Sequence, residues 1–343
     1  MRSAVVAEHL IAKGHDVRFV SAGRAYKYLG DRWPGRVTYV LGLGTVMHEN
    51  TIQPGATLLA NIAKLTFAPL AHVATAIGVG KIPDAVISDF DPWTARYASL
   101  VGVPLIAVDN IHFMNRCTHP REVVLSGAAD RTSAAIMFPG VNSMVPGARR
   151  YIVTTFASAP IAAGSPGTTL HAPIIRPKVL AAVGTPSDEH VTVYFNDKSD
   201  HRKVMGALLE SPATFHVYGA ENVREDTPVG SNIVMRPVSE DGFIADLATS
   251  RAVIGGAGFT LMTECITLGK PLLAVPFGGQ FEQILNANYL QREGYGERAT
   301  VLDGATIGGF LGRASSYAAK LKNYRHDGNV ELLQSVDDAL AGL

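Results

Sequence analysis

Residues 251–288, RAVIGGAGFTLMTECITLGKPLLAVPFGGQFEQILNAN, constrain the fold more than any other part of the chain. An apolar run, Ala252 to Ile254, stops at Gly255-Gly256-Ala257-Gly258. The spacing predicts a helix from Thr260 to Leu268. Gly269 and Pro271 close it, since glycine accepts the left-handed residue that ends a helix and proline cannot continue one. A second buried-strand run, Leu272 to Pro276, leads to Phe277-Gly278-Gly279-Gln280 and to a helix carrying Glu282 and Gln283. Strand, glycine turn, helix, strand, polar loop, helix: this order calls for parallel strands covered on both faces. It also sets a glycine-lined helix start beside a polar loop, at the strand ends where open α/β sheets bind ligands. Free N–H groups and about half a positive charge at such a start suit phosphate. The stretch reads as a nucleoside-diphosphate site.

The same alternation runs through the rest of the chain, twice. In the first half helices are expected at 4–13, 23–29, 93–102 and 122–138. Strands are expected at 16–21, 36–41, 84–89, 103–109 and 150–156, and 53–80 reads as an apolar helix pair bent at Pro69. Residues 157–187 are rich in Pro, Gly, Ser, Thr and Ala, the composition of a connector. Strands then recur at 191–195, 214–218 and 232–235, and helices at 201–209 and 243–249. The division is therefore an N-terminal domain, 1–157, a linker, 158–187, and a C-terminal domain, 188–343.

Composition narrows the partners. The chain is 47% hydrophobic and 17% charged, which fits compact α/β architecture and argues against disorder. Thirty basic residues balance thirty acidic ones, so no polyanion-binding face and no nucleic-acid partner are expected. Cys117 and Cys265 lack metal-like spacing and read as ordinary thiols of a reducing cytoplasm. No apolar run reaches the roughly 18 residues needed to span a bilayer, which leaves at most peripheral membrane contact through 53–80. No metal and no cofactor are expected.

The glycine cluster alone admits several readings. A dinucleotide fingerprint needs a third glycine and an acidic residue about 20 positions on, and Gly255-x-x-Gly258 has neither. A Walker loop fails because Gly269-Lys270 precedes Pro271 at a helix end. A plain strand-to-helix turn needs only the small residues. The polar neighbours favour a ligand. Glu264 lies about one turn after Thr260, where a carboxylate can accept both hydrogen bonds of a ribose cis-diol. Glu282 and Gln283 open the next helix, in reach of a sugar carried on the diphosphate.

Gly255-Gly256-Ala257-Gly258-Phe259-Thr260, Glu264, Gly269-Lys270-Pro271, Pro276-Phe277 and Gln280-x-Glu282-Gln283-x-x-Asn286-Ala287 resemble the donor-site signature of GT-B glycosyltransferases, most closely the MurG-like group. Gly14-His15-Asp16-Val17, Ser88-Asp89-Phe90-Asp91-Pro92 and Asp241-Gly242-Phe243 extend the resemblance over nearly the whole chain. It implies two Rossmann-like domains facing across a cleft, a nucleotide sugar (UDP favoured) on the C-terminal one and an acceptor on the other. It also implies an inverting transfer without metal, the helix start stabilising the departing diphosphate. By position, Gly256 and Gly258 would meet phosphate, Glu264 the ribose, and Glu282 and Gln283 the donor sugar, with Gly255, Phe259, Thr260 and Gln280 in the same donor site. Phe243 would cover the base.

The group's usual first strand and Gly-x-Gly-His loop have no counterpart, because Met1-Arg2-Ser3 begins where that loop ends. An upstream segment of about 15–20 residues, supplying a central strand, is therefore expected. Without the loop histidine, the candidate bases are Asp91, Asp109 and His112, at strand ends facing the cleft. Two rival functions remain at this level. One is a UDP-sugar epimerase or hydrolase of the same fold; the other is a truncated, inactive nucleotide-sugar-binding protein.

Overall fold

The computed structural model describes residues 2–40, 42, 47–48, 51–52, 78–124, 141, 144–195, 198–220, 222–277 and 280–343. The expected helix pair at 53–80 and most of the helix at 122–138 lie outside these residues.

In the N-terminal half the order is α1 (Arg2–Ala12), β1 (Phe19–Ser21), α2 (Gly23–Arg32), β2 (Val37–Tyr39), β3 (Met47–His48), β4 (Thr51–Ile52), β5 (Val86–Ser88), α3 (Pro92–Val101), β6 (Leu105–Asp109), α4 (Phe113–Arg116), α5 (Arg121–Val124), β7 (Arg150–Thr154) and β8 (Thr168–His171). Strands β5-β6-β7-β8 form a parallel sheet in chain order. The five residues of β6 are all buried, as a strand covered on both faces must be. Among the described residues β1 and β2 pair only with each other, in parallel. Strand β8 falls within 158–187, the stretch read as linker, and hydrogen-bonds to β7.

A short helix, α6 (Pro177–Ala181), leads to the second half: β9 (Val191–Tyr194), α7 (Lys198–Leu209), β10 (Phe215–Tyr218), β11 (Thr227–Val229), β12 (Ile233–Met235), α8 (Glu240–Thr249), β13 (Ala252–Gly256), α9 (Phe259–Thr267), β14 (Leu272–Val275), α10 (Phe281–Glu293), β15 (Gly296–Arg298), α11 (Gly304–Leu321) and α12 (Val330–Ala341). Its seven strands run β11-β12-β10-β9-β13-β14-β15, with only β11 antiparallel. Three-residue β11 and β15 were not expected from the sequence. The sheet is doubly wound, and its order reverses between β9 and β13. That places the glycine turn after β13 at the switch point, where such sheets leave a crevice.

The two halves are packed together. Phe281, Ile284, Leu285 and Tyr289 of α10 enter the N-terminal core with Phe113, Met114 and Tyr151. Helix α12 crosses back: Leu332, Val336 and Ala339 pack with Val6 and Leu10 of α1 and Ile106, Val108 and Ile152 of the first sheet. His9 and Lys13 both reach Asp337, at 2.9 and 2.5 Å. No described helix is long and apolar enough to cross a membrane.

Candidate active site

The three sequence-flagged glycines differ in what the fold asks of them. A Cβ on Gly255 would stand 2.9 Å from the Tyr194 carbonyl oxygen and 2.8 Å from Leu261 Cδ2, so strand packing itself requires glycine. On Gly256 it would touch, among the described residues, only the Phe277 ring, at 3.7 Å. Gly258 caps α9 at φ −66°, and among the described residues nothing lies within 4 Å of the Cβ it lacks. Neither packing nor backbone conformation needs Gly258. Its missing side chain opens the space before the first turn of α9, which has no side-chain cap and so offers free N–H groups. Thr260 is exposed at that turn, and Phe259 is buried beneath the Arg2 guanidinium, 5.8 Å from its ring centroid.

Glu264 is not free. Arg176, from the segment before α6, grips both its oxygens, Nε to Oε1 at 2.7 Å and Nη2 to Oε2 at 2.8 Å, and Nη1 donates to Glu240 Oε1 at 2.8 Å. Burial raises the Glu264 pKa above the usual carboxylate range, more than Arg176 lowers it. Phe243 stands between the rings of Tyr194 and Tyr218, at 5.2 and 5.1 Å. Behind it Asp246 accepts hydrogen bonds from the Tyr218 hydroxyl at 2.7 Å and from Arg236 Nε at 2.7 Å. Burial would raise the Asp246 pKa, but hydrogen bonds from His216, Tyr218 and Arg236 outweigh it and hold the group at about 2. Among the described residues His190, His216 and Asp246 are close enough to suggest a metal site. Arg236 and Tyr218 already occupy that carboxylate.

The loop after β14 is held by Gln283, whose Oε1 accepts the Phe277 N–H at 3.1 Å and whose Nε2 donates to Gln280 at 2.7 Å. Gly278 and Gly279 lie outside the described residues. Glu282 faces the other half, accepting from Asn110 Nδ2 at 2.7 Å. Burial raises the Glu282 pKa against the hydrogen bond from Asn110 and the charge of Arg2. Asn110 also accepts from Arg2, which binds Asp89 at 2.8 Å, and the Ser3 hydroxyl donates to Asp89 at 2.9 Å. A polar chain thus runs from β5 through α1 and β6 to α10.

The three candidate bases divide. The Asp91 carboxylate is the cap of α3, accepting the Thr94 N–H at 2.9 Å, and Pro92 follows at the first helical position. Asp109 and His112 form a pair: Oδ2 to Nδ1 is 2.7 Å, and Oδ1 accepts the His112 backbone N–H at 2.9 Å. A carboxylate accepts, so Nδ1 carries the hydrogen, and it is Nε2 that holds the lone pair of the neutral imidazole. Both side chains are 1% exposed, with the rings of Phe90 and Tyr151 against the imidazole.

Arg176, Asn110 and Asp246 were not anticipated as members of this region. The one signal for Arg176 is that it is the sole Lys, Arg, Asp or Glu from 157 to 177, a lone charge in an apolar connector.

A family model described as "Glycosyl transferase family 1" matches residues 1–315. The chain belongs to glycosyl transferase family 1. Solved structures agree with this family 1 fold at low identity. The spinosyn forosaminyltransferase SpnP is 15% identical, with 98% of this chain and 94% of that one covered at TM-score 0.60. LpCGTa, solved in complex with UDP, is 16% identical, with 99% and 94% covered at TM-score 0.63. Phytolacca americana UGT2, complexed with UDP-2fluoro-glucose and pterostilbene, is 13% identical, with 98% and 96% covered at TM-score 0.61. A search of the curated proteins finds no match. The fold is GT-B, and the protein is a glycosyltransferase.

Proposed function

We propose that this glycosyltransferase moves a sugar from a UDP-sugar to a hydroxyl acceptor, with inversion and without a metal. One observation carries the donor reading: the uncapped first turn of α9 faces open space at Gly258 among the described residues, and neither packing nor backbone conformation there asks for glycine. The diphosphate takes those N–H groups, and the helix dipole favours the charge that develops as the phosphate leaves. The nucleotide runs toward Phe243 and its aromatic neighbours, and the sugar toward Glu282 and Gln280. LpCGTa with UDP and the Phytolacca enzyme with UDP-2fluoro-glucose support a uridine nucleotide by analogy of fold.

In the transfer, the acceptor oxygen attacks the anomeric carbon from the face opposite the diphosphate. The new C–O bond forms as the C–O bond to phosphate breaks, and UDP leaves with the electron pair. The acceptor proton goes to His112 Nε2, with Asp109 fixing the tautomer and stabilising the imidazolium. His112 is 1% exposed, with Phe90 and Tyr151 against its ring, so the acceptor reaches it only after local rearrangement.

Calorimetry tests the donor reading. UDP is expected to bind with unchanged affinity in excess chelator, and a UDP-sugar to be consumed in the presence of a suitable hydroxyl acceptor. Binding that vanishes on chelation, or a purine diphosphate preferred over UDP, would overturn it.

A further inference from the structure

Arg176 carries an inference that rests on the nucleotide reading above. It holds Glu264 by two parallel N–H groups and Glu240 by a third. The three side chains differ in exposure: Glu264 3%, Arg176 13%, Glu240 48%. The guanidinium occupies both oxygens of a carboxylate that is almost wholly buried. The edge of a guanidinium and the cis-diol of a ribose show a carboxylate the same pattern, two donors side by side.

We propose that Arg176 holds the place of the nucleotide's ribose and thereby selects the nucleotide. A ligand enters by bringing two vicinal hydroxyls to take over both oxygens of Glu264. Arg176 then turns to Glu240, on which Nη1 already rests. The exchange replaces one pair of donors by another, so the buried carboxylate is never left bare. A ligand with a single hydroxyl leaves one buried oxygen without a partner, the costly outcome for a group of this kind. Glu240 sits in the first turn of α8, exposed and able to keep the displaced cation paired. Arg176 is thus a specificity-determining residue, and the segment leading into α6 senses whether the ribose subsite is filled.

The sign of one affinity change decides the matter. An arginine that only attracts phosphate, or only orients Glu264, would on removal weaken UDP binding. The place-holding role requires the reverse. With nothing to displace, Arg176→Ala is expected to bind UDP about tenfold more tightly, as when a competent state held at one part in ten becomes the resting state. Arg176→Lys, which offers a point charge without the fork, falls between the two. Pyrophosphate, having no ribose, binds Arg176→Ala no more tightly than the parent. Titration calorimetry gives all of these, with melting curves to establish folding. If the alanine variant does not fold, the lysine variant reads the same sign. Unchanged or weaker UDP binding in the folded variants, beside normal binding by the parent, overturns the proposal and leaves the nucleotide reading intact. A parent that binds no UDP overturns both.

Discussion

Phe90 holds φ at 52°, a left-handed conformation that bulky side chains rarely adopt. Its neighbours over-determine it: Ser88 ties the turn to Asp91 at 3.0 Å, Pro92 starts α3, and the ring packs on His112 at 5.5 Å. Strain kept at such a position costs about 1–3 kcal/mol and belongs where function gains from it. Here it lies on the imidazole proposed as base. His112→Ala is expected to lower transfer by about 10²–10⁴-fold while UDP affinity stays at the parent value, because a general base acts on the acceptor proton and not on the donor. Steady-state rates beside calorimetry separate the two. Turnover within about threefold of the parent would reduce the Asp109–His112 pair to packing. The sequence could name Asp109 and His112, three positions apart after an apolar strand. It could not show Arg176 on Glu264, since nothing local links residues 88 positions apart.

At the scale of elements, helix ends were the most legible feature. Gly102 at φ 73° ends α3, where the expected helix 93–102 also ended, and Gly269 at φ 72° follows α9, where glycine and proline spacing placed a stop. At the start of α3, Asp91, one of the three candidate bases, accepts the Thr94 N–H through Oδ2 as the helix cap, a role that needs no part in the transfer. Asp91→Ala is therefore expected to lower stability by about 1 kcal/mol without lowering kcat. Asp91→Asn, which still accepts the Thr94 N–H, should recover most of that loss. Melting curves and rates for the pair decide it; a large fall in kcat for both variants would return Asp91 to the list of bases. Strand β8 was missed for a physical reason. Its sequence, TTLH, is short and polar, and only its partner β7 makes it a strand.

The whole molecule is closed by a second crossing between its halves. Asn329, itself at φ 72°, accepts the Ile175 N–H at 2.8 Å and donates to the Ile175 carbonyl at 2.9 Å, one residue from Arg176. His326 bonds the Pro173 carbonyl at 2.6 Å. The two crossing segments are thus fastened together beside Arg176 and the proposed ribose subsite. Composition marked the first crossing, Pro- and Gly-rich as connectors are. It could not reveal that α12 returns to the first sheet, because an amphipathic helix does not say which core it joins. The central claim is that a diphosphate docks in the space Gly258 leaves open. UDP titration into Gly258→Ala tests it most directly. With φ at −66° and no atom of the described residues within 4 Å of the new methyl group, folding should change by less than about 1 kcal/mol. The methyl would stand in the ligand's place, so UDP affinity is expected to fall at least about tenfold, or 1.4 kcal/mol. A stable Gly258→Ala protein that binds UDP as tightly as the parent would contradict the account.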